Sequence, residues 1–143
     1  MNHWYLDWFN EDYLALYRHR NQTEAKQQVE FIIQELPEMA TPSPLREGPV
    51  LDVACGAGRH LRALANSGIW AVGIDTSSVL LREAGAGLDR VRGDMSALPI
   101  LAGCAPLVIS MFTSFGYFPR DEDNQRALGE WHRALKPQGC LVI

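Results

Sequence analysis

The stretch VLDVACGAGRH, residues 50–60, decides the fold that we predict for this chain. Its apolar beginning, Val50–Ala54, is typical of a strand buried inside a sheet. Gly56 and Gly58 predict a sharp turn after that strand, because glycine tolerates positive φ and lets the backbone lie against a ligand. Apolar residues at helical spacing follow, so a helix should begin near Gly58 and point its free N–H groups at that ligand.

Strand and helix signals alternate over the rest of the chain. We predict, in order, a helix ended by Gly68, a strand over 70–74, a helix from Ser77 or Ser78 to Ala84, a weak strand over 88–92, a strand over 106–110, a helix opened by Asp121 and Glu122, a turn over 137–139 and a fifth strand from Cys140. This alternation indicates an α/β fold with a doubly wound, mainly parallel sheet.

The first 49 residues follow a different pattern. We predict a helix around Glu11–Arg20 and a second helix that is capped by Thr23 and ends at Pro37. Prolines and glycine then mark residues 37–49 as a loop or linker. The predicted organisation is therefore an N-terminal helical cap over 1–36, a proline-rich linker over 37–49 and a main domain over 50–143.

The composition excludes several classes of protein. With 47% hydrophobic and 21% charged residues, the 143-residue chain is suited to one folded domain rather than to disorder. Its net charge of -4 disfavours nucleic-acid binding, and no apolar run is long enough to span a membrane. The three cysteines are far apart and form no C-x-x-C motif, which argues against a disulfide framework and a metal site. We therefore expect a reducing, cytoplasmic location.

Acidic residues stand at the ends of three predicted strands. Asp52 lies in the first, Asp75 ends the second and Asp94 follows the third. Because the carboxyl ends of parallel strands share one edge of the sheet, where ligands bind, these carboxylates should converge there. An acid at the end of the second strand can accept hydrogen bonds from both hydroxyl groups of a ribose.

Two classes of ligand fit this arrangement. A dinucleotide site of the kind found in nicotinamide oxidoreductases would carry the G-x-G-x-x-G fingerprint, but Leu61 stands where its third glycine would be. Such a site does not require Asp52 or Asp94 either. The additional acids favour a ligand that carries an amino group and an adenine amine but no phosphate.

Several segments in the expected order resemble motifs of the class I S-adenosylmethionine-dependent methyltransferases. The matching segments are residues 50–60, 73–77, 92–95, 107–112 and 135–143, and residues 9–20 resemble the N-terminal helix of a small-molecule-type branch. The resemblance implies a Rossmann-like sheet of seven strands in the order 3-2-1-4-5-7-6. It therefore also implies that the C-terminal strands are missing here, leaving the fifth strand as an exposed edge that could self-associate.

The resemblance implies roles for the residues around the glycine loop. Gly56 and Gly58 would line the methionine moiety of S-adenosylmethionine through their backbone. Asp52 would bind its amino group, directly or through water, and Asp75 would bind the ribose hydroxyl groups.

Further cofactor contacts are implied after the third and fourth strands. Asp94 would bind the adenine amine, and Met95 would pack against the ring or donate its backbone N–H to it. Ser110 and Met111 would lie beside the methionine and the sulfonium. Arg59, Tyr13 and Tyr17 are weaker candidates for closing over the cofactor.

The implied reaction is in-line displacement of the methyl group by a nucleophile of a small-molecule acceptor. We assign no catalytic acid or base, because neither Tyr117 nor any histidine stands out from ordinary surface or packing residues. Two alternatives stay open on the sequence: a nicotinamide-type oxidoreductase domain, and a module that binds the cofactor or a partner without catalysis.

Overall fold

The computed structural model describes residues 8–17, 21–36 and 47–143. Within these ranges the chain forms five helices and five strands. Their bounds are α1 Glu11–Leu16, α2 Gln22–Glu35, β1 Val50–Val53, α3 Arg59–Asn66, β2 Ala71–Asp75, α4 Ser78–Glu83, β3 Asp89–Arg92, β4 Ala105–Ile109, α5 Asp121–Ala134 and β5 Leu135–Val142. No helix in the described ranges is both long and apolar enough to cross a membrane.

The five strands form one sheet in the order β3-β2-β1-β4-β5, and every neighbouring pair is parallel. β1 lies at the centre, where Val50 is in register with Ala71 on one side and with Leu107 on the other. Successive strands are added on one side of β1 as far as β3 and on its other side from β4 onward, so the carboxyl ends of β1 and β4 flank the switch point at which ligands bind. The predicted α/β fold with a doubly wound parallel sheet is confirmed.

Both faces of the sheet are covered by helices. Val50 points to the face on which Val29 of α2 and Leu64 of α3 pack, whereas Leu51 points to the opposite face and packs with Trp131 of α5. Because side chains alternate between the faces of a strand, a strand buried on both faces must be apolar throughout. Asp52, which is also buried, breaks that rule at the centre of the sheet.

The predicted helix ends require two corrections. Asn21, not Thr23, caps α2, because its side-chain oxygen accepts the N–H of Glu24 at 3.0 Å. Thr23 instead lies within the first turn. α1 ends at Leu16, before the predicted end at Arg20, which lies outside the described residues. The predicted cap of α4 is confirmed for Ser77, whose hydroxyl oxygen accepts the N–H of Leu80 at 3.2 Å.

The turn predicted over 137–139 lies inside a strand. β5 begins at Leu135 rather than Cys140, and the residues between them bulge, since Ala105 pairs with Leu135 but Leu107 pairs with Cys140. Gln138 has a left-handed φ of 65° within this bulge. Proline and glycine can mark a bulge as well as a turn, so the sequence signal was real but its interpretation was wrong.

The proposed domain division stays a prediction. Most of the proline-rich linker, residues 37–46, lies outside the described part of the chain.

Candidate functional site

The loop after β1 bends over the end of β2. Ala54 has a φ of 62°, and its N–H donates to the carbonyl oxygen of Ile74 at 2.7 Å. Gly56, with a φ of 55°, then donates its N–H to Oδ2 of Asp75 at 2.8 Å. Two consecutive strands of the sheet are thus joined at their carboxyl ends by the glycine loop.

Asp75 is held by the backbone on both sides. Its Oδ2 accepts the N–H of Gly56, and its Oδ1 accepts the N–H of Ser77 at 2.8 Å. Burial raises the pKa of the Asp75 carboxyl group, while the N–H groups of Ser77 and Gly56 oppose that rise. The contacts fix the orientation of a carboxylate that lines a cavity at the edge of the sheet.

The first cavity extends from Asp75 towards the end of β3. It is lined by Phe9, Tyr13, Ala54, Gly56, Ile74, Asp75, Thr76, Leu80, Gly93, Asp94, Met95, Ser114, Tyr117 and Phe118. Oδ1 of Asp94 accepts hydrogen bonds from the N–H and the hydroxyl group of Ser96, at 2.8 and 2.7 Å. The carbonyl oxygen of Met95 accepts the indole N–H of Trp131 at 3.1 Å. Asp94 and Met95 are therefore both anchored beside the cavity.

The second cavity adjoins the first and shares Ala54 and Gly56 with it. Asp52 and Met111 line it, together with residues of α1 and of the first turn of α3. The Asp52 side chain is 1% exposed, and its Oδ2 has no hydrogen-bond partner in the described ranges. Burial, and to a lesser degree the charge of Asp75, raise the pKa of Asp52 to about 8, although Arg59 opposes the rise.

Two of the sequence-predicted site residues do not line either cavity. Gly58 is the N-cap of α3 with a φ of 74°, and a Cβ there would lie 3.1 Å from the Cβ of Ala84 and 3.2 Å from Cδ1 of Leu88. Ser110 is buried and donates its N–H to the carbonyl oxygen of Val142 at 2.9 Å. The structure instead gathers Asp52, Gly56, Asp75, Asp94, Met95 and Met111 around the paired cavities.

Aromatic side chains line both cavities and contact one another, and we call Phe9, Tyr13, Tyr17, Phe112 and Tyr117 the aromatic cover. Their contacts with one another could not be predicted from the sequence. Phe9 lies 5.0 Å from Tyr13 and 5.7 Å from Tyr117, measured between ring centroids. Tyr13 lies 4.6 Å from Tyr17, which lies 6.0 Å from Phe112. Tyr13 and Tyr17 were weaker candidates for closing over a cofactor, whereas the contact of Tyr17 with Phe112 joins distant parts of the chain and had no signal in the sequence.

The aromatic cover is tied to the segment between β2 and α4 by a hydrogen bond. The hydroxyl group of Ser77 donates to the carbonyl oxygen of Phe9 at 2.7 Å. α2 is attached as well, because Arg59 forms an ion pair with Glu24 at 3.1 Å and His60 contacts Oε1 of Gln28 at 2.7 Å. His60 lines the second cavity and was not among the sequence-predicted site residues.

The geometry agrees with a comparison against known families. Residues 50–139 match a family described as a methyltransferase domain. The chain belongs to this methyltransferase family.

Relatives and solved structures support the same assignment for this methyltransferase domain. It is 29% identical over 129 residues to the glycine/sarcosine N-methyltransferase of Halorhodospira halochloris, covering 85% of this chain and 46% of that protein. It is 32% identical over 97 residues to the dTDP-3-amino-3,4,6-trideoxy-alpha-D-glucopyranose N,N-dimethyltransferase of Streptomyces venezuelae, covering 66% of this chain and 40% of that protein. The crystal structure of Streptomyces venezuelae DesVI matches with a TM-score of 0.68 and 27% identity, over 92% of this chain and 54% of that one.

The methyltransferase domain spans less than half the length of these two curated relatives. The comparisons therefore establish the family and the fold of this chain.

Proposed function

We propose that this domain binds S-adenosylmethionine at the carboxyl edge of its sheet and supports methyl transfer to a small-molecule acceptor. The observation that carries the proposal is the buried carboxyl group of Asp52, which lines a cavity and whose Oδ2 has no partner in the described ranges. A buried carboxyl oxygen without a hydrogen-bond donor is costly, so the site favours a ligand that supplies one. The ammonium group of the methionine moiety is such a donor.

The remaining groups fit the other parts of this cofactor. A carboxylate has about four lone-pair sites, so Asp75 can accept two ribose hydroxyl groups in addition to its two backbone N–H groups. Asp94 and Met95 lie further along the first cavity, on the side suited to the adenine ring. Gly58 and Ser110 would then act through the shape of the loop and the strand end rather than by lining the site.

The sulfonium of the bound cofactor supplies both an activated methyl group and the leaving group. The protein contributes position and exclusion of water rather than a proton transfer that we can assign. The rings of Phe9, Tyr13 and Tyr117 cover the first cavity and limit the access of solvent to it. No residue is proposed as a catalytic acid or base.

A small-molecule acceptor is supported by the relatives. Both curated relatives are named as N-methyltransferases of small molecules, an amino acid in one case and a nucleotide sugar in the other. We extend this to propose that the acceptor atom here is nitrogen. The net charge of -4 gives no support for nucleic acid as the acceptor.

We also propose a reducing, cytoplasmic location and self-association through β5. The cysteines Cys55, Cys104 and Cys140 are free, which is consistent with a reducing, cytoplasmic location. β5 lies at the edge of the sheet with Leu141 exposed, which supports self-association through strand pairing. Sedimentation at several protein concentrations tests the second expectation.

Calorimetric titration with S-adenosylmethionine and S-adenosylhomocysteine tests the proposed cofactor. Asp75→Asn should weaken both by about 10-fold or more, because hydrogen bonds to a charged carboxylate are lost. Asp89→Asn, which alters an exposed carboxylate on β3, is the matched control and should leave both affinities unchanged. Saturable binding of NAD by the folded protein, without binding of either sulfur compound, would overturn the proposal in favour of an oxidoreductase.

A further inference from the structure

A buried indole group contacts the backbone behind the first cavity. Trp131 of α5 is 0% exposed, and its indole N–H donates to the carbonyl oxygen of Met95 at 3.1 Å. Met95 lines the first cavity at the end assigned to adenine, whereas Trp131 is not part of that lining. The indole therefore acts on the wall of the cavity rather than on a ligand within it.

The peptide group that follows Met95 is held on both of its sides. Its carbonyl oxygen accepts the indole N–H of Trp131, and its N–H, which belongs to Ser96, donates to Oδ1 of Asp94 at 2.8 Å. The hydroxyl group of Ser96 donates to the same carboxylate oxygen at 2.7 Å. Because the carbonyl and the N–H of a trans peptide point in opposite directions, a rotation of this peptide that broke one contact would break the other. The indole and the carboxylate are thus linked through a single peptide group.

The segment after Ser96 is attached to the same helix. Oε2 of Glu130 accepts the N–H of Leu98 at 2.9 Å, and Arg133 donates to the carbonyl oxygens of Leu98 and Ile100 at 3.0 and 2.8 Å. Glu130 and Arg133 also form an ion pair with each other at 2.8 Å. The position of this segment beside the cavity therefore depends on α5.

The bonds from Ser96 determine which oxygen of Asp94 a ligand can use. Oδ1 accepts both donors of Ser96, so a donor on a bound base is directed to Oδ2. An ionised carboxylate accepts hydrogen bonds and cannot donate them. It therefore favours a base that carries an exocyclic amine over one that carries a carbonyl oxygen at the same position. This selection requires that the side chain keeps its orientation, since a carboxylate free to turn could move away from the carbonyl oxygen.

We propose that Trp131 is a positioning residue for base selection: its indole N–H holds the peptide after Met95, and through it the Asp94 carboxylate, so that the cavity accepts adenine and rejects hypoxanthine. Trp131 lies behind the lining of the cavity, so it acts through Asp94 and not on the base. This inference rests on the proposed function, because it concerns the same cofactor site.

The test compares S-adenosylhomocysteine with S-inosylhomocysteine, which carries a carbonyl oxygen in place of the adenine amine. Both affinities are measured by calorimetry on the full chain. The unmodified protein should bind S-adenosylhomocysteine about 10-fold or more tightly, because the inosine compound loses a hydrogen bond to a charged carboxylate. Trp131→Phe removes the N–H but keeps an aromatic ring beside Phe115, whose ring centroid lies 5.5 Å from that of the indole. This variant should lower the preference for adenine about threefold or more.

Trp70→Phe is the matched control for loss of an indole N–H. That N–H donates to Oδ2 of Asp89 at 2.9 Å, and Trp70 is exposed and lies outside both cavities, so the preference for adenine should stay unchanged. Ser96→Ala removes the hydroxyl donor to Asp94 and should lower the preference as Trp131→Phe does. Thermal unfolding establishes that each variant is folded, and Ser96→Ala decides the outcome if Trp131→Phe is not.

A double variant tests whether Trp131 acts through the carboxylate. Asp94→Asn introduces an amide that can also donate to the carbonyl oxygen of hypoxanthine, so it should lose most of the preference for adenine. Adding Trp131→Phe should then change the preference no further, because the effects of residues that act through one another do not add. A further threefold change in the double variant would overturn the inference, since the indole would act independently of Asp94.

Each remaining outcome contradicts a distinct statement. Equal losses of affinity for both compounds in Trp131→Phe, with the preference unchanged, would overturn the inference and leave the indole as a core residue alone. Equal binding of both compounds by the unmodified protein would also overturn it but would leave the proposed cofactor intact. Absence of binding by both compounds would overturn the proposed function, and this inference with it.

Discussion

The N–H of Gly56 lies 2.8 Å from Oδ2 of Asp75 and joins the glycine loop after β1 to the last residue of β2. This contact orients the carboxylate and at the same time fixes the loop that separates the two cavities. The two glycines of this loop have different surroundings. Gly56 faces the cavities, whereas Gly58 is packed against Ala84 and Leu88.

Alanine substitutions should separate these two roles. In Gly56→Ala, the new Cβ would lie 3.8 Å from Cδ1 of Leu80, which is an ordinary van der Waals contact. The free energy of unfolding should therefore fall by about 1 kcal/mol, because alanine is strained in the left-handed conformation. Gly58→Ala adds contacts of 3.1 and 3.2 Å to the same backbone strain and should cost about 2 kcal/mol or more. Urea unfolding measures both values. A larger loss for Gly56→Ala would contradict the packing role of Gly58.

Cofactor affinity should fall more for Gly56→Ala than for Gly58→Ala, which is the reverse of their order in stability. Gly56→Ala places a methyl group at the lining of both cavities, whereas Gly58→Ala changes neither lining directly. Calorimetry with S-adenosylhomocysteine, at a temperature where both variants are folded, provides the comparison.

The stability of the free protein should fall as the pH rises from about 4 to about 8. Burial raises the pKa of Asp52 to about 8, so the folded state retains a proton that the unfolded chain releases near pH 4. Unfolding therefore releases a proton in this window, and the free energy of unfolding decreases by up to about 1.4 kcal/mol per pH unit. The pKa of Asp75 is raised by burial as well and acts in the same direction.

Asp52→Asn isolates the contribution of this carboxyl group. The amide cannot ionise, so the slope of stability against pH between pH 5 and pH 8 should become shallower. Asp89→Asn is the control for loss of an acid at an exposed position, and its slope should match that of the unmodified protein. Identical slopes in all three proteins would show that Asp52 ionises normally in the folded state.

Cofactor affinity should depend on pH with the opposite sign. An ammonium group binds the ionised form of Asp52, so binding below pH 8 requires the loss of a proton from the free protein. Affinity for S-adenosylhomocysteine should therefore rise up to about tenfold per pH unit between pH 6 and pH 8. 5′-Methylthioadenosine lacks the amino group and should show little of this dependence. An equal slope for both compounds would place the ammonium group away from Asp52.

Much of the site at the carboxyl edge of the sheet could be predicted from the sequence, because a parallel sheet brings the ends of its strands together there. Apolar runs located the strands, and acids at strand ends must meet at one edge of a parallel sheet. The placement of Gly58 and Ser110 could not be predicted, since it depends on the packing of Gly58 against Ala84 and Leu88 and on the pairing of Ser110 with Val142. The bulge in β5 was read as a turn because proline and glycine mark both. The aromatic cover depends on contacts between residues far apart in the chain, such as Ser77 and Phe9.

The Ser77 hydroxyl group donates to the carbonyl oxygen of Phe9 and accepts the N–H of Leu80, so it both anchors the aromatic cover and caps α4. Ser77→Ala should lose about 1 kcal/mol of stability from the cap. It should also increase hydrogen exchange over residues 9–17, while exchange in β1 and β4 stays unchanged. α1 contains no buried residue, so its local opening should respond to the loss of this hydrogen bond.

Ser77→Thr keeps a hydroxyl group that can cap and donate, so it should restore both properties. Ser67→Ala removes a hydroxyl group that donates to the carbonyl oxygen of Ala63 within its own helix end, and it is the matched control. If Ser77→Ala lowered stability without changing exchange over residues 9–17, Ser77 would be a helix cap alone. The cover over the cavities would then be held by its ring contacts, and variants of Phe9 rather than of Ser77 would release it.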